Sequence, residues 1–260
     1  MTDATASSTG PTDAAFDPDS LRALVFDYGN TLIEFSMAQI ERCEGAFCQT
    51  LGELFGPPDL ERFISIRRHQ TTVVYTGEHR ENTPASIVCE LVEGLYDQTP
   101  SDEQVEQLVE ARRRLFVDVI ELDEQVLPLL DRLGQRYQLG LVSNYPCGTS
   151  IRASLDATGL AERFETIVVS GDVGYVKPHP LPFRTALDAM GVDPTEAAYI
   201  GDNWLGDIQG AKRLGMTAIH TTQYDTPEKF DRQHGDHDAD LVITDLRELA
   251  DHLLPPRVGG

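Results

Sequence analysis

Four short segments of this chain carry side chains that could act together on a charged substrate. In Leu24–Leu32 an apolar run ends in a carboxylate, Asp27, at the head of a Gly29-Asn30 turn. Such a run reads as a buried parallel strand, and ligands of open α/β sheets bind beyond the carboxyl ends of the strands. Asp27 therefore stands where a nucleophile would, although a turn-capping aspartate has the same local pattern. Leu139–Asn144 is a second apolar run, ending in the hydroxyl of Ser143 and the amide of Asn144. Gly174–Pro180 holds Lys177 in a loop bounded by glycine and proline, and Ala198–Asp207 is a short strand running into Asp202 and, five residues on, Asp207.

The remaining pattern must position these groups. After the first strand, apolar residues recur at helical spacing for about ninety residues, predicting helices over Met37–Phe55, Leu60–His69, Pro84–Tyr96 and Asp102–Ile120. Strands then recur between helical stretches at Gln138–Ser143, Thr166–Ser170, Ala197–Gly201, Thr217–His220 and Leu241–Ile243. Strand–helix alternation implies right-handed crossovers and a doubly wound parallel sheet, so the fold class is α/β. The helical block after strand one reads as an insertion. The expected organisation is a disordered tail over 1–20, an α/β core over 21–35 and 122–260, and a helical cap over 36–121.

Carboxylate, hydroxyl, ammonium and paired carboxylates, in this order, resemble the four motifs of the haloacid dehalogenase-like (HAD) hydrolase superfamily, and the helical insertion is similar to its C1-type cap. The resemblance spans about Leu21 to Leu254. It implies a phosphomonoester hydrolase in which Asp27 attacks phosphorus and forms an aspartyl-phosphate, splitting one hard hydrolysis into two displacements. It also implies a phosphate cradle of Thr31, Ser143, Asn144 and Lys177, aided by backbone N–H groups after Asp27 and Asn144. Mg²⁺ is the implied cofactor, with Asp27, the Gly29 carbonyl and Asp202 as hard oxygen ligands and Asp207 acting directly or through water. Asp207 would serve equally as a helix N-cap ahead of Ile208, and Asn203 as a turn residue. Substrate-facing residues are expected from the polar clusters of the insertion: Arg67, Arg68, His69, His79 and Arg80.

One position departs from the pattern. Family phosphatases and mutases carry a second Asp two residues after the nucleophile as general acid and base, and here that residue is Gly29. Positioned proton transfer contributes about 10²–10⁴-fold, so three readings stay open. They are a phosphatase using good leaving groups or a cap-borne acid, a different HAD reaction such as 2-haloacid dehalogenation, and a binding protein that kept the fold. A phosphomutase leans on the absent Asp. A phosphonoacetaldehyde hydrolase needs a cap lysine, and residues 33–176 contain none. A dehalogenase would need a cationic pocket, for which Arg67, Arg68 or Arg80 could serve, but usually carries Tyr where Gly29 stands.

Composition bounds the partners. The 260 residues carry a net charge of −22, and only three of the 21 basic residues are lysines. Such a surface repels nucleic-acid phosphates and anionic membranes, so neither is an expected partner. At molar salt the Debye length falls to about 3 Å and the self-repulsion becomes tolerable, so a halophilic source would explain the charge; a GC-rich genome would also deplete lysine. No apolar run approaches the ~20 residues that span a bilayer, and the first twenty lack a basic, apolar leader. A soluble cytoplasmic monomer or homodimer is expected, with a small phosphorylated metabolite as substrate. Cys43, Cys48, Cys89 and Cys147 lack zinc-site spacing and read as free thiols, and His234 and His237 as a solvated loop.

Overall fold

The computed structural model describes residues 16–224 and 237–255. Its six strands are β1 (Ala23–Phe26), β2 (Gln138–Ser143), β3 (Thr166–Val169), β4 (Ala197–Gly201), β5 (Thr217–Thr221) and β6 (Leu241–Ile243). They form one parallel sheet in the order β3-β2-β1-β4-β5-β6. The chain steps outward from β1 through β2 to β3, then returns to the other side of β1 and continues to β6. The order reverses between β1 and β4, which creates a crevice at their carboxyl ends. Phe26 lies opposite Leu141 on one side and Ile200 on the other, so the three central strands end within two residues of one another.

The central strands are buried on both faces, which explains their continuous apolar runs. Leu24 and Phe26 point into one apolar layer, with α5 (Val126–Leu133), α6 (Gly148–Thr158) and α10 (Glu248–Leu253). Ala23 and Val25 point into the other, with α8 (Pro180–Met190) and α9 (Gly210–Leu214). A short α7 (Ser170–Val173) follows β3.

Between β1 and α5 lie α1 (Met37–Phe55), α2 (Leu60–Val73), α3 (Pro84–Tyr96) and α4 (Asp102–Asp118). Their inward faces make a separate apolar cluster of Phe47, Leu51, Phe63, Ile87, Leu91 and Leu108, among others. Each start is built locally: Ser36, Thr83 and Ser101 close capping boxes, and the Asp59 carboxylate accepts from Arg62 N. Two helix ends differ from the expectation. Helix α2 continues past His69 to Val73, because nothing in Gln70–Val73 breaks it and Gln70 is tied across to Ile87 O. Helix α4 stops at Asp118, where Gln39 Nε2 bonds the Val119 carbonyl and β-branched residues follow.

The tail needs a correction too. Residues 1–15 lie outside the described residues, but Pro18–Ser20 form a 3₁₀ turn capped by Asp17, and Asp19 pairs with Arg136. Residues 17–20, expected as part of the tail, are therefore structured. No helix among the described residues is long and apolar enough to cross a membrane.

Candidate active site

The turn after β1 makes Asp27 the first residue past the sheet. Its N–H still bonds Ile200 O at 2.8 Å, so the carboxylate is fixed to the end of β4. Immediately beyond, the Tyr28 carbonyl accepts from the N–H groups of Thr31, Leu32 and Ile33. Asn30 adopts a left-handed φ of 54°, which Asn tolerates, and its side chain accepts from Phe35 N at 2.8 Å.

Lys177 is the hub of the site. Its Nζ lies 2.6 Å from Asp27 Oδ1 and 2.7 Å from Asp207 Oδ1, and it donates to Val142 O at 2.9 Å and to the Tyr199 hydroxyl at 2.6 Å. Lys177 and Asp207 are almost wholly buried. Burial alone would lower the ammonium pKa, but the charges of Asp207 and Asp27 outweigh it and hold Lys177 protonated well above its usual range. Burial pushes the Asp27 carboxyl up to about 6; Lys177 opposes that shift and Asp207 reinforces it.

The carboxylates converge through the turn after β4. Asp27, Asp202 and Asp207 each offer an oxygen within 4.8 Å of the others, and among the described residues they are the one such acidic cluster. Both Asp207 oxygens are engaged, one by Lys177 and the other by Asn203 N at 2.9 Å. Asp207 sits inside a wide π-type turn, Trp204–Gln209, rather than capping a helix; the cap is Asn203, whose side chain accepts from Gly206 N at 2.6 Å. A Cβ at Gly201 would overlap the Asp207 carboxylate, so only glycine lets that carboxylate lie against the strand end. Gly201→Ala should therefore displace Asp207, lower stability by about 1–3 kcal/mol in thermal melts, and release Lys177 from one of its anchors.

The sequence-derived cradle is brought together only in part. Ser143, Asn144 and Lys177 face the same cavity as Asp27. The Asn144 side chain is spent on the Lys177 backbone, accepting from its N–H at 2.8 Å and donating to its carbonyl at 3.1 Å. The N–H after Asn144, that of Tyr145, donates to Ser170 Oγ at 2.8 Å. Asn144 thus shapes the lysine loop, and the Tyr145 amide is not an anion donor. Thr31 is fully buried, its hydroxyl has no hydrogen-bond partner, and it is not on the cavity wall, because the turn on Tyr28 O carries it inward.

A cavity of about 520 Å³ opens above these groups, between the strand ends and the inserted helices. Of the five residues expected to meet substrate, Arg67 alone lines it. Arg68 and His69 are exposed on α2. Arg80 pairs with Glu78 and stacks over Tyr175. His79 lends its backbone to the lysine loop, its carbonyl accepting from Val176 N at 2.9 Å. His237 is held through its backbone by the Gln209 amide, and His234 lies outside the described residues. Residues the sequence did not single out also reach the wall: Glu44, Tyr75, Glu81, Arg112 and Tyr145. Glu44 and Arg112 reach it from α1 and α4, and Tyr75, Glu81 and Tyr145 from the loops that follow α2, precede α3 and follow β2, a placement readable only once the packing is known.

The family described as haloacid dehalogenase-like hydrolase matches residues 24–221. A phosphoserine phosphatase of Thermus thermophilus is 41% identical over 98 residues, 38% of this chain and 37% of that protein. A phosphoglycolate phosphatase of Escherichia coli K12 is 32% identical over 146 residues, 54% of this chain and 57% of that one. The alignments with these curated relatives thus cover little more than half of their length at most. Among solved structures, a 2-haloacid dehalogenase from Pseudomonas syringae superposes with a TM-score of 0.68 at 25% identity, covering 90% of this chain and 98% of that one. A HAD phosphatase from Thermococcus onnurineus shares the fold, with a TM-score of 0.59 at 24% identity, covering 92% and 100%. From β1 through the paired aspartates to β5, the chain belongs to the haloacid dehalogenase-like hydrolase family.

Proposed function

We propose that this protein is a Mg²⁺-dependent phosphomonoester hydrolase acting on a small-molecule phosphate, with residues 36–121 as a cap over the core. The observation that carries the reading is the buried Asp27–Lys177–Asp207 ion network beside Asp202 and Ser143, at the floor of one cavity. The phosphatase names of relatives at 32–41% identity support it.

In this reading an Asp27 oxygen attacks phosphorus, the bond to the leaving oxygen breaks, and that oxygen takes up a proton. Water then attacks the aspartyl-phosphate, releasing inorganic phosphate and restoring Asp27. Lys177, anchored on Asp27 Oδ1, keeps the nucleophile from rotating and neutralises charge as phosphate approaches. Ser143 donates its hydroxyl to a phosphate oxygen. Asp207 positions Lys177, and Asn144 positions the backbone around it.

The clustered carboxylate oxygens suit a hard divalent cation. Asp27, Asp202 and the Gly29 carbonyl would hold Mg²⁺, with Asp207 contributing indirectly. The ion would supply charge neutralisation between carboxylate and phosphate. Turnover of 4-nitrophenyl phosphate with Mg²⁺ and its loss with chelator test the reading. Chelator-resistant halide release from 2-chloropropionate would instead favour dehalogenation, the activity named for the Pseudomonas syringae neighbour.

Two further outcomes are expected. With the Asp27 carboxyl pushed up to about 6, its charged form is lost as pH falls through that value. Protons then compete with metal, so calorimetric Mg²⁺ affinity should fall about tenfold per pH unit below pH 6 and level off above it. The net charge of −22 also suggests salt adaptation. The melting temperature should rise between low and molar KCl as self-repulsion is screened, and a flat or falling curve counts against it.

A further inference from the structure

The wall opposite the nucleophile is unlike a site for a very small phosphate. It is largely apolar, built from Ile40, Phe47, Val74, Ile87, Leu115 and Phe116. Into this wall are set two guanidiniums, Arg67 from α2 and Arg112 from α4, with one carboxylate between them. Glu44 Oε1 lies 3.0 Å from Arg67 Nε, and Glu44 Oε2 lies 3.6 Å from Arg112. Arg67 also donates to Gln70 Oε1 at 2.7 Å, and Arg112 stacks over the Phe47 ring with 4.9 Å to its centroid. All three charged side chains are at most one-quarter exposed. Two cations share one anion, so the cluster keeps an uncompensated positive charge within an apolar wall. Consistent with that excess, burial lowers the Arg67 pKa and the neighbouring Arg112 lowers it further.

A buried net charge is costly unless something pairs with it. The 520 Å³ cavity is in the range that encloses a ligand of drug-like size, well beyond what a two-carbon phosphate fills. From this geometry we propose that the substrate is a phosphomonoester with a sizeable apolar or aromatic body and a second anionic group, its distal anion received by Arg112 and Arg67. This inference rests on the phosphatase reading of the same site. The phosphoryl group would sit at Asp27 and Lys177, the body against the apolar wall, and the carboxylate or second phosphate at the arginine pair. Glu44 would hold the two guanidiniums apart and oriented without cancelling both charges. A guanidinium fork matches a carboxylate or phosphate bidentately.

The test measures binding as well as turnover. With the full-length Asp27→Asn protein and Mg²⁺, calorimetry compares 6-carboxy-2-naphthyl phosphate, 2-naphthyl phosphate and 2-phosphoglycolate. The carboxylated naphthyl ester should bind about tenfold tighter than the plain one, the size of one charge-assisted hydrogen bond, and 2-phosphoglycolate should bind weakest. Adding Arg112→Met should bring the two naphthyl affinities within about twofold of each other, whereas Arg112→Lys should preserve most of the difference. Circular dichroism of each variant verifies folding, and if Arg112→Met does not fold, Arg67→Met takes its place. Equal binding of the two naphthyl esters, a difference that survives the Met variants, or tightest binding of 2-phosphoglycolate would overturn the proposal. Failure of the wild-type protein to hydrolyse any of the three, with the binding order intact, would refute the phosphatase reading and leave the ligand class standing.

Discussion

Asp27→Asn is expected to lower turnover of any phosphomonoester substrate by about 10⁴-fold or more, with the fold intact. An amide nitrogen or oxygen is a far poorer nucleophile than a carboxylate, and no second carboxylate can take its place. Asp207 is bound through both oxygens, and Asp202 follows a different strand. The structure also explains why folding should survive. Asparagine has nearly the shape of aspartate, and Lys177 keeps its contact with Asp207 and its bonds to Val142 O and Tyr199. Burial raises the Asp27 pKa, so the ionised carboxylate is not in its most favourable setting, and removing its charge relieves that cost. Steady-state kinetics together with a thermal melt check both halves. Wild-type turnover by the purified variant would rule out Asp27 as the nucleophile.

The second large effect concerns the proton that the leaving group needs. No carboxylate stands at Gly29, and neither His69 nor His79 lines the cavity, so the sequence-level candidates for a cap-borne acid are not in place. Aryl phosphates with acidic phenols should therefore turn over much faster than alkyl phosphates, because a stable phenolate needs little protonation whereas an alkoxide needs much. Gly29→Asp should raise alkyl-phosphate turnover selectively, towards the lower end of the ~10²–10⁴-fold range of general acid catalysis. The backbone permits the change. Gly29 is not among the positive-φ glycines, and a Cβ there would meet only the Phe35 Cβ, at 4.0 Å. Equal wild-type rates on both substrate types would mean that another cavity residue donates the proton. Tyr75 would then be the first to change to Phe. Its hydroxyl receives Asn144 Nδ2 at 3.4 Å, and its pKa of about 12, raised by burial, keeps the phenol protonated at neutral pH.

Much of the fold was legible because its signals are local. The β1, β2 and β4 segments are apolar runs that must be covered on both faces, and their helix-separated spacing forces parallel crossovers. The four helices between β1 and α5 announce themselves through capping residues and 3.6-residue periodicity. Asp27, Ser143, Asp202 and Asp207 were legible for the same reason: each lies at or shortly after the carboxyl end of a strand, and in a parallel sheet those ends lie on one edge.

Which of those groups meet the cavity was decided in three dimensions. Thr31 and Asn144 are the right residue types at the right spacing; Thr31 turns inward on Tyr28 O, whereas Asn144 stays on the cavity wall with its side chain tied to the Lys177 backbone. A hydrogen bond made across 33 residues of chain leaves no periodic trace in the sequence. The same holds for the helical wall of the cavity. Arg68 and His69 adjoin Arg67 in sequence, but successive helix positions point about 100° apart, so packing of α2 against α3 and the ion pair with Glu44 of α1 select Arg67 and leave its neighbours in solvent. Arg112 and Glu44 join Arg67 from two other helices. The sheet, the four helices after β1 and the strand-end chemistry are legible along the chain, because local physics dictates them. The far wall of the cavity is not legible there, because it exists only where separate helices meet.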